Sequence, residues 1–103
     1  MRSAYEENRR YFRQAYESGR HGWAAVEPSP YVARNLTHVT RLGGGASGVR
    51  LLDLGCGEGR HSLLAAKMGF FVVGVDYELL AVVRAQDQAR PPDLKPLLHF
   101  LVG

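Results

Sequence analysis

Three glycines set two apart, in Asp53-Leu54-Gly55-Cys56-Gly57-Glu58-Gly59, are the feature of this 103-residue chain best suited to chemistry. They stand where a short apolar run gives way to a helical pattern. Glycines at such a junction let the backbone turn tightly and let a ligand approach without Cβ atoms in the way, while the helix behind presents unpaired N–H groups. The loop therefore suits a polar or anionic ligand. A dinucleotide fingerprint would read G-x-G-x-x-G, but position 60 is Arg60 and the third glycine is Gly59. Asp53, two residues before the first glycine, would repel a pyrophosphate and suits a ligand carrying an ammonium group.

Other reactive side chains read as structural. Cys56 is the single cysteine, so the chain has neither an internal disulfide nor a cysteine-based zinc framework. Nothing in the sequence indicates how its thiolate would be stabilised, and it reads as a small core residue behind the loop. His21, His38, His61 and His99 share no ligand spacing, which leaves them surface, packing or helix-start roles. The 13 Lys and Arg residues outnumber the 10 acids, for a net charge of +3. Of the basic residues only Arg9, Arg10 and Arg13 cluster, and Glu6, Glu7 and Glu17 dilute them. Such a mixture reads as a solvated helix face rather than a nucleic-acid footprint, which concentrates charge along one stripe.

The elements that position the loop follow from periodicity. Ser3 and Glu6 have capping-box spacing, and Tyr5, Arg9, Phe12 and Tyr16 then share one face of a helix expected over residues 4–18 and stopped by Gly19. Trp23 and Tyr11 read as core aromatics. Pro30 can open a second helix over residues 31–42, with Val32, Leu36, Val39 and Leu42 recurring along it and Gly43, Gly44 and Gly45 ending it. GGGASG forms a hinge of small residues. Beyond it the pattern alternates: VRLLDLG as a strand, RHSLLAAKMG as a helix, FFVVGVD as a strand, YELLAVVRAQDQAR as a helix broken by Pro91 and Pro92, and LLHFLVG as a third strand. Short links between such elements require parallel strands with right-handed crossovers, half of a doubly wound α/β sheet.

Length and composition agree with one domain at most. The chain is 46% hydrophobic and 22% charged with a mean hydropathy of −0.19, an ordinary globular profile. No apolar run approaches the ~18 residues needed to span a bilayer, and MRSAYEENRR has no apolar core of the kind a secretory signal needs. A cytoplasmic protein is the expectation.

LLDLGCGEGRHSLLAAKMG resembles the first motif of the class I S-adenosylmethionine-dependent methyltransferases, an acid followed by G-x-G-x-G at the end of the first strand. FFVVGVDYELL extends the resemblance. The family places an acid for the ribose hydroxyls at the end of its second strand, and Asp76 stands there, 21 residues after Gly55. The likeness covers about residues 49–102 and implies a Rossmann-like doubly wound parallel sheet of which the first three strands are present, in the order 3-2-1. Two N-terminal helices precede it, giving a lead-in over residues 1–48 and a cofactor-binding half over 49–103. It implies S-adenosyl-L-methionine as cofactor, held by Asp53, Leu54, Gly55, Cys56, Gly57, Gly59, Asp76 and Tyr77. Asp53 would contact the cofactor's amino-acid end, brace the glycine loop, or both. Asp76 would accept hydrogen bonds from the ribose diol, the alternative being an N-cap for the helix after it. WAAVEPSP is loosely similar to the lead-in of small-molecule members such as the thiopurine and tellurite-resistance enzymes, and in the family the N-terminal segment often folds over the cofactor.

The family's complete sheet has seven strands ordered 3-2-1-4-5-7-6. On that comparison the chain reads as a fragment whose first strand lies at an edge, so self-association is expected. The resemblance implies methyl transfer, with a small molecule as the expected acceptor class and no acceptor named. The rival readings are a truncated binding module without turnover and a self-associating partner that uses the sheet edge.

Overall fold

The computed structural model describes residues 3–18 and 27–103. Helix α1 spans Ala4–Ser18 and α2 spans Pro30–Gly43. Strand β1 (Arg50–Leu54) leads to α3 (Arg60–Lys67), β2 (Phe71–Asp76), α4 (Leu79–Gln88) and β3 (Leu98–Val102). The three strands form one parallel sheet in which β2 lies between β1 and β3, the expected order. Register pairs Leu54 with Val75 and Asp76 with Val102, which brings the glycine loop after β1 level with the acid that ends β2.

Local signals account for most boundaries. The Glu6 N–H donates to Ser3 Oγ at 3.1 Å, so the serine caps α1 as its spacing implies. Pro30 takes the first turn of α2, where its missing N–H costs nothing, and Gly44 ends the helix at φ 73°. α4 departs from expectation by starting at Leu79 rather than at residue 77. Asp76 Oδ1 accepts the Glu78 N–H at 2.9 Å, and Glu78 itself is extended at φ −92°, ψ 109°, so the chain stays open for two residues beyond the strand.

Helices α3 and α4 cover one sheet face. Ala65 and Ala66 from α3 and Ala81, Val82 and Ala85 from α4 are buried with Val72, Leu98 and Phe100 of the strands. Small residues on the helices let the backbones come close to the sheet, and Phe100 fills the space they leave. Gly74 is required for this: a Cβ there would lie 2.6 Å from Phe100 Cδ1 and 3.0 Å from Ser62 Oγ, closer than packed atoms approach. On the opposite sheet face Leu52, Leu54 and Leu101 are exposed.

The N-terminal helices pack on the helical layer, α1 against α4 and α2 against α3. Their apolar faces are only partly used. Tyr16 and Leu36 are buried, but Val39 and Leu42 remain exposed. Tyr11, expected in the core, is 60% exposed. At 100° per residue it falls off the face that carries Phe12 and Tyr16, and its ring meets that of Phe12 edge-on, 5.3 Å between centroids. Trp23 and His21 lie outside the described residues.

Candidate functional site

The glycine loop is a strand-to-helix turn wrapped around the end of β2. The Gly55 and Cys56 N–H groups both donate to the Val75 carbonyl, at 2.8 and 3.0 Å, and the Gly59 N–H returns to Cys56 O at 3.0 Å. Gly57 adopts φ 57°, in the left-handed region that a side chain disfavours. Its N–H donates to Asp76 Oδ2 at 2.9 Å. Both Asp76 oxygens therefore hold backbone N–H groups, one in the glycine loop and one at Glu78, and the residue is buried. The bond to Glu78 closes a turn ahead of α4, whose N-cap position is Glu78 and has no side-chain cap bond, so Asp76 does not cap that helix; its carboxylate ties the loops after β1 and β2 together.

Asp53 is held from the other side. Ser62 Oγ, wholly buried on α3, donates to Asp53 Oδ2 at 2.6 Å, which fixes one carboxylate oxygen and leaves the other's lone pairs. Cys56 sits buried between the two acids. Burial pushes its thiol up to about 12, and the charges of Asp53 and Asp76 add to that, so it stays protonated and inert, as a small core residue should.

All the sequence-predicted residues except Gly59 line one cleft of about 980 Å3. Gly59 lies behind it. Its Cβ would come within 2.7 Å of Phe100 Cζ, so this third glycine serves the packing of loop on sheet. Among the described residues no group of three or more His, Cys, Asp or Glu side chains is arranged to hold a metal ion.

Several cleft residues carry no motif. Phe12 and Tyr16 of α1 form one wall, and a Cβ on Gly57 would meet the Tyr16 hydroxyl at 3.0 Å. Phe12 also meets the Tyr77 ring edge-on at 6.1 Å. The regular aromatic spacing along α1 marked that face as buried without saying against what. The lead-in to α2 closes a second side. There the Ser29 N–H donates to His61 Nε2 at 3.0 Å and Arg60 Nη1 donates to Glu27 O at 3.2 Å. His61 is thus a packing residue at the start of a helix, within the roles expected of it. Its pKa is lowered by burial and by the Arg60 charge, with Asp53 opposing, which keeps the accepting lone pair free.

A parallel α/β sheet with a glycine turn after its first strand and an acid closing the second is the architecture of a Rossmann-like nucleotide-cofactor domain. Residues 46–103 match the methyltransferase domain family, and the chain belongs to that family. No curated protein matches it significantly. Solved structures do. An RNA methyltransferase from Salinibacter ruber, in complex with S-adenosyl-L-homocysteine, is 26% identical with a TM-score of 0.59, covering 77% of this chain and 50% of its own. A protein solved in work on the conversion of a disulfide bond into a thioacetal group during echinomycin biosynthesis is 26% identical with a TM-score of 0.68, covering 93% and 39% respectively. A SAM-dependent methyltransferase from Thiobacillus denitrificans, also with S-adenosyl-L-homocysteine, shares the fold at 24% identity and a TM-score of 0.63, covering 91% and 36%. The chain spans half or less of the length of each of these proteins.

Proposed function

We propose that this chain is the cofactor-binding portion of an S-adenosylmethionine-dependent methyltransferase that acts on a small molecule. One observation carries the reading: the Gly55 to Gly59 loop closes on Asp76 through the 2.9 Å bond from the Gly57 N–H, so that both ligand-facing loops share one cleft. The residues suit the cofactor. Gly57 leaves the floor of the cleft without a Cβ, and Asp76, with two lone-pair sites occupied by backbone N–H groups, keeps two for a ribose diol. Asp53, with one oxygen fixed by Ser62, offers the rest of its carboxylate to an ammonium group. Tyr77, which Phe12 of α1 meets edge-on, places an aromatic ring beside the ribose position.

When bound, S-adenosylmethionine supplies a sulfonium-activated methyl group for in-line attack by an acceptor. The protein's part is to orient that group and keep water away, which requires no nucleophile and base of its own. The acids among the basic residues of α1 favour a small acceptor over nucleic acid: Glu6, Glu7 and Glu17 interrupt the positive stripe that a phosphate backbone requires.

The test is thermal denaturation of the chain with S-adenosylhomocysteine or NAD. A ligand at 100 times its Kd stabilises by about 2.7 kcal/mol. A rise in Tm with S-adenosylhomocysteine and none with NAD supports the reading, and the reverse overturns it. A second reading, a self-associating module without turnover, is favoured by β1, an edge strand whose Leu52 and Leu54 are 61% and 74% exposed. Two copies pairing β1 to β1 would satisfy the unpaired backbone groups of that edge in both. Sedimentation equilibrium at micromolar concentration separates the two states: a dimer supports this second reading, and an 11.4 kDa monomer with a cooperative melt removes it.

A further inference from the structure

Arg84 on α4 reaches two walls of the cleft at once. Its Nη1 donates to Glu58 Oε1 in the glycine loop at 3.1 Å, and its Nη2 donates to the Tyr16 carbonyl near the end of α1 at 3.1 Å. The guanidinium carbon lies 6.0 Å from the centroid of the Tyr16 ring. The Tyr16 carbonyl is among the last four of its helix, which lack an i+4 partner within it and attract positive charge. Arg84 thus caps α1 and holds the loop with the same planar fork. A lysine ammonium presents a single point charge and does not hold two acceptors on separate elements in that fixed fork geometry.

Three other contacts link α1 to the β2–α4 corner over longer distances. Arg13 and Glu78 stand 3.8 Å apart, with the arginine half exposed, and Tyr5 and Phe12 meet Tyr77 with centroids 6.0 and 6.1 Å apart. These contacts sit toward the N-terminal and middle parts of α1. Near its C-terminal end, where Tyr16 faces Gly57, the Arg84 fork joins helix to loop.

We propose that Arg84 is a positioning residue that clamps the C-terminal end of α1 across the glycine loop and thereby sets the rate at which the cofactor enters and leaves the cleft. This inference rests on the reading of the cleft as a cofactor site. Glu58 and Tyr16 are the two anchors, and both line the cleft. Release requires α1 to lift, and lifting breaks the Nη2 bond to the Tyr16 carbonyl, while the Nη1 bond to Glu58 keeps the guanidinium aimed at that carbonyl.

The experiment compares the full chain with Arg84→Met and Arg84→Lys, using stopped-flow binding of S-adenosylhomocysteine and hydrogen exchange of the free protein. In Arg84→Met dissociation should quicken about 10-fold. Association should quicken as well, so that Kd changes less than the off-rate, a pattern that mere loss of stability does not produce. Arg84→Lys should resemble Arg84→Met. In the free protein the amides of α1 should exchange faster in both variants while those of β2 do not. Wild-type release rates in variants that bind the ligand overturn the clamp. Should the wild type itself fail to bind, the cofactor reading falls, and the exchange data still decide the clamp: unchanged protection of α1 in Arg84→Met refutes it.

Discussion

Replacing Asp76 by asparagine keeps the side chain's shape and removes its charge. In the native chain Oδ2 takes the Gly57 N–H and Oδ1 the Glu78 N–H, each at 2.9 Å, in a buried setting. An asparagine retains one acceptor oxygen and turns an NH2 group toward the other N–H, so one bond is lost and its donor is left unpaired. Hydrogen bonds to charged groups are worth about 1.5–3 kcal/mol, and for a domain of this size each kcal/mol moves Tm by roughly 4–8 °C. Asp76→Asn should therefore melt roughly 5–20 °C lower and remain folded at 10 °C. If the carboxylate also holds the ribose, a further charge-assisted bond disappears on binding, and affinity for S-adenosylhomocysteine falls about 10- to 150-fold. Calorimetric titration at 10 °C separates the two effects, since a residue that serves only as a brace lowers Tm without changing the affinity of the folded fraction. Unchanged Kd in a variant with reduced Tm would refute the ribose contact and leave Asp76 as the brace between the two loops.

Gly57→Val should abolish S-adenosylhomocysteine binding while circular dichroism keeps its helix and sheet signal, because the new side chain must take φ 57° and press on the Tyr16 hydroxyl 3.0 Å from its Cβ; retained binding in calorimetry would reduce the loop to a structural turn. Gly74→Ala should cost about 1–3 kcal/mol in urea unfolding, with Phe100 displaced from its place over the sheet. His61 has a folded-state pKa below its ordinary value of 6.5, so the unfolded chain takes up the proton first as pH falls. The stability from its bond to the Ser29 N–H is therefore present above about pH 6.5 and lost on acidification through the folded-state value, and melts at pH 7.5 and 5 should lose more Tm in the wild type than in His61→Phe. Cys56, with its thiol near 12, is roughly one part in ten thousand thiolate at pH 8, and should react with Ellman's reagent only after denaturant is added.

The sheet and its loop were legible because they are written locally. Strand β2 reads as β-branched residues around Gly74 and ends on Asp76, and the three loop glycines fall within five residues of one another, so periodicity and spacing alone place them. What escaped is contact between distant positions. Arg84 meets Tyr16 across 68 residues of sequence, and His61 meets Ser29 across 32, and no short-range pattern marks either pair. The spacing of Gly59 matches that of Gly55 and Gly57, and nothing in it marks the neighbour that a Cβ there would meet, Phe100 on β3. The early start assigned to α4 has a similar origin. An acid before a helical pattern looks like an N-cap, and only the register of β2 with the glycine loop shows that Asp76 is also drawn toward Gly57.

The central claim is that the loops after β1 and β2 form one cofactor cleft under α1. An NMR titration of the 15N-labelled chain with S-adenosylhomocysteine tests it most directly. Saturable shifts should concentrate on Gly55 to Gly59, on Asp76 and Tyr77, and on Phe12 and Tyr16 of α1, with β3 beyond Phe100 little affected. A well-dispersed spectrum of a folded chain that shows no shift at these amides up to millimolar ligand would contradict the account.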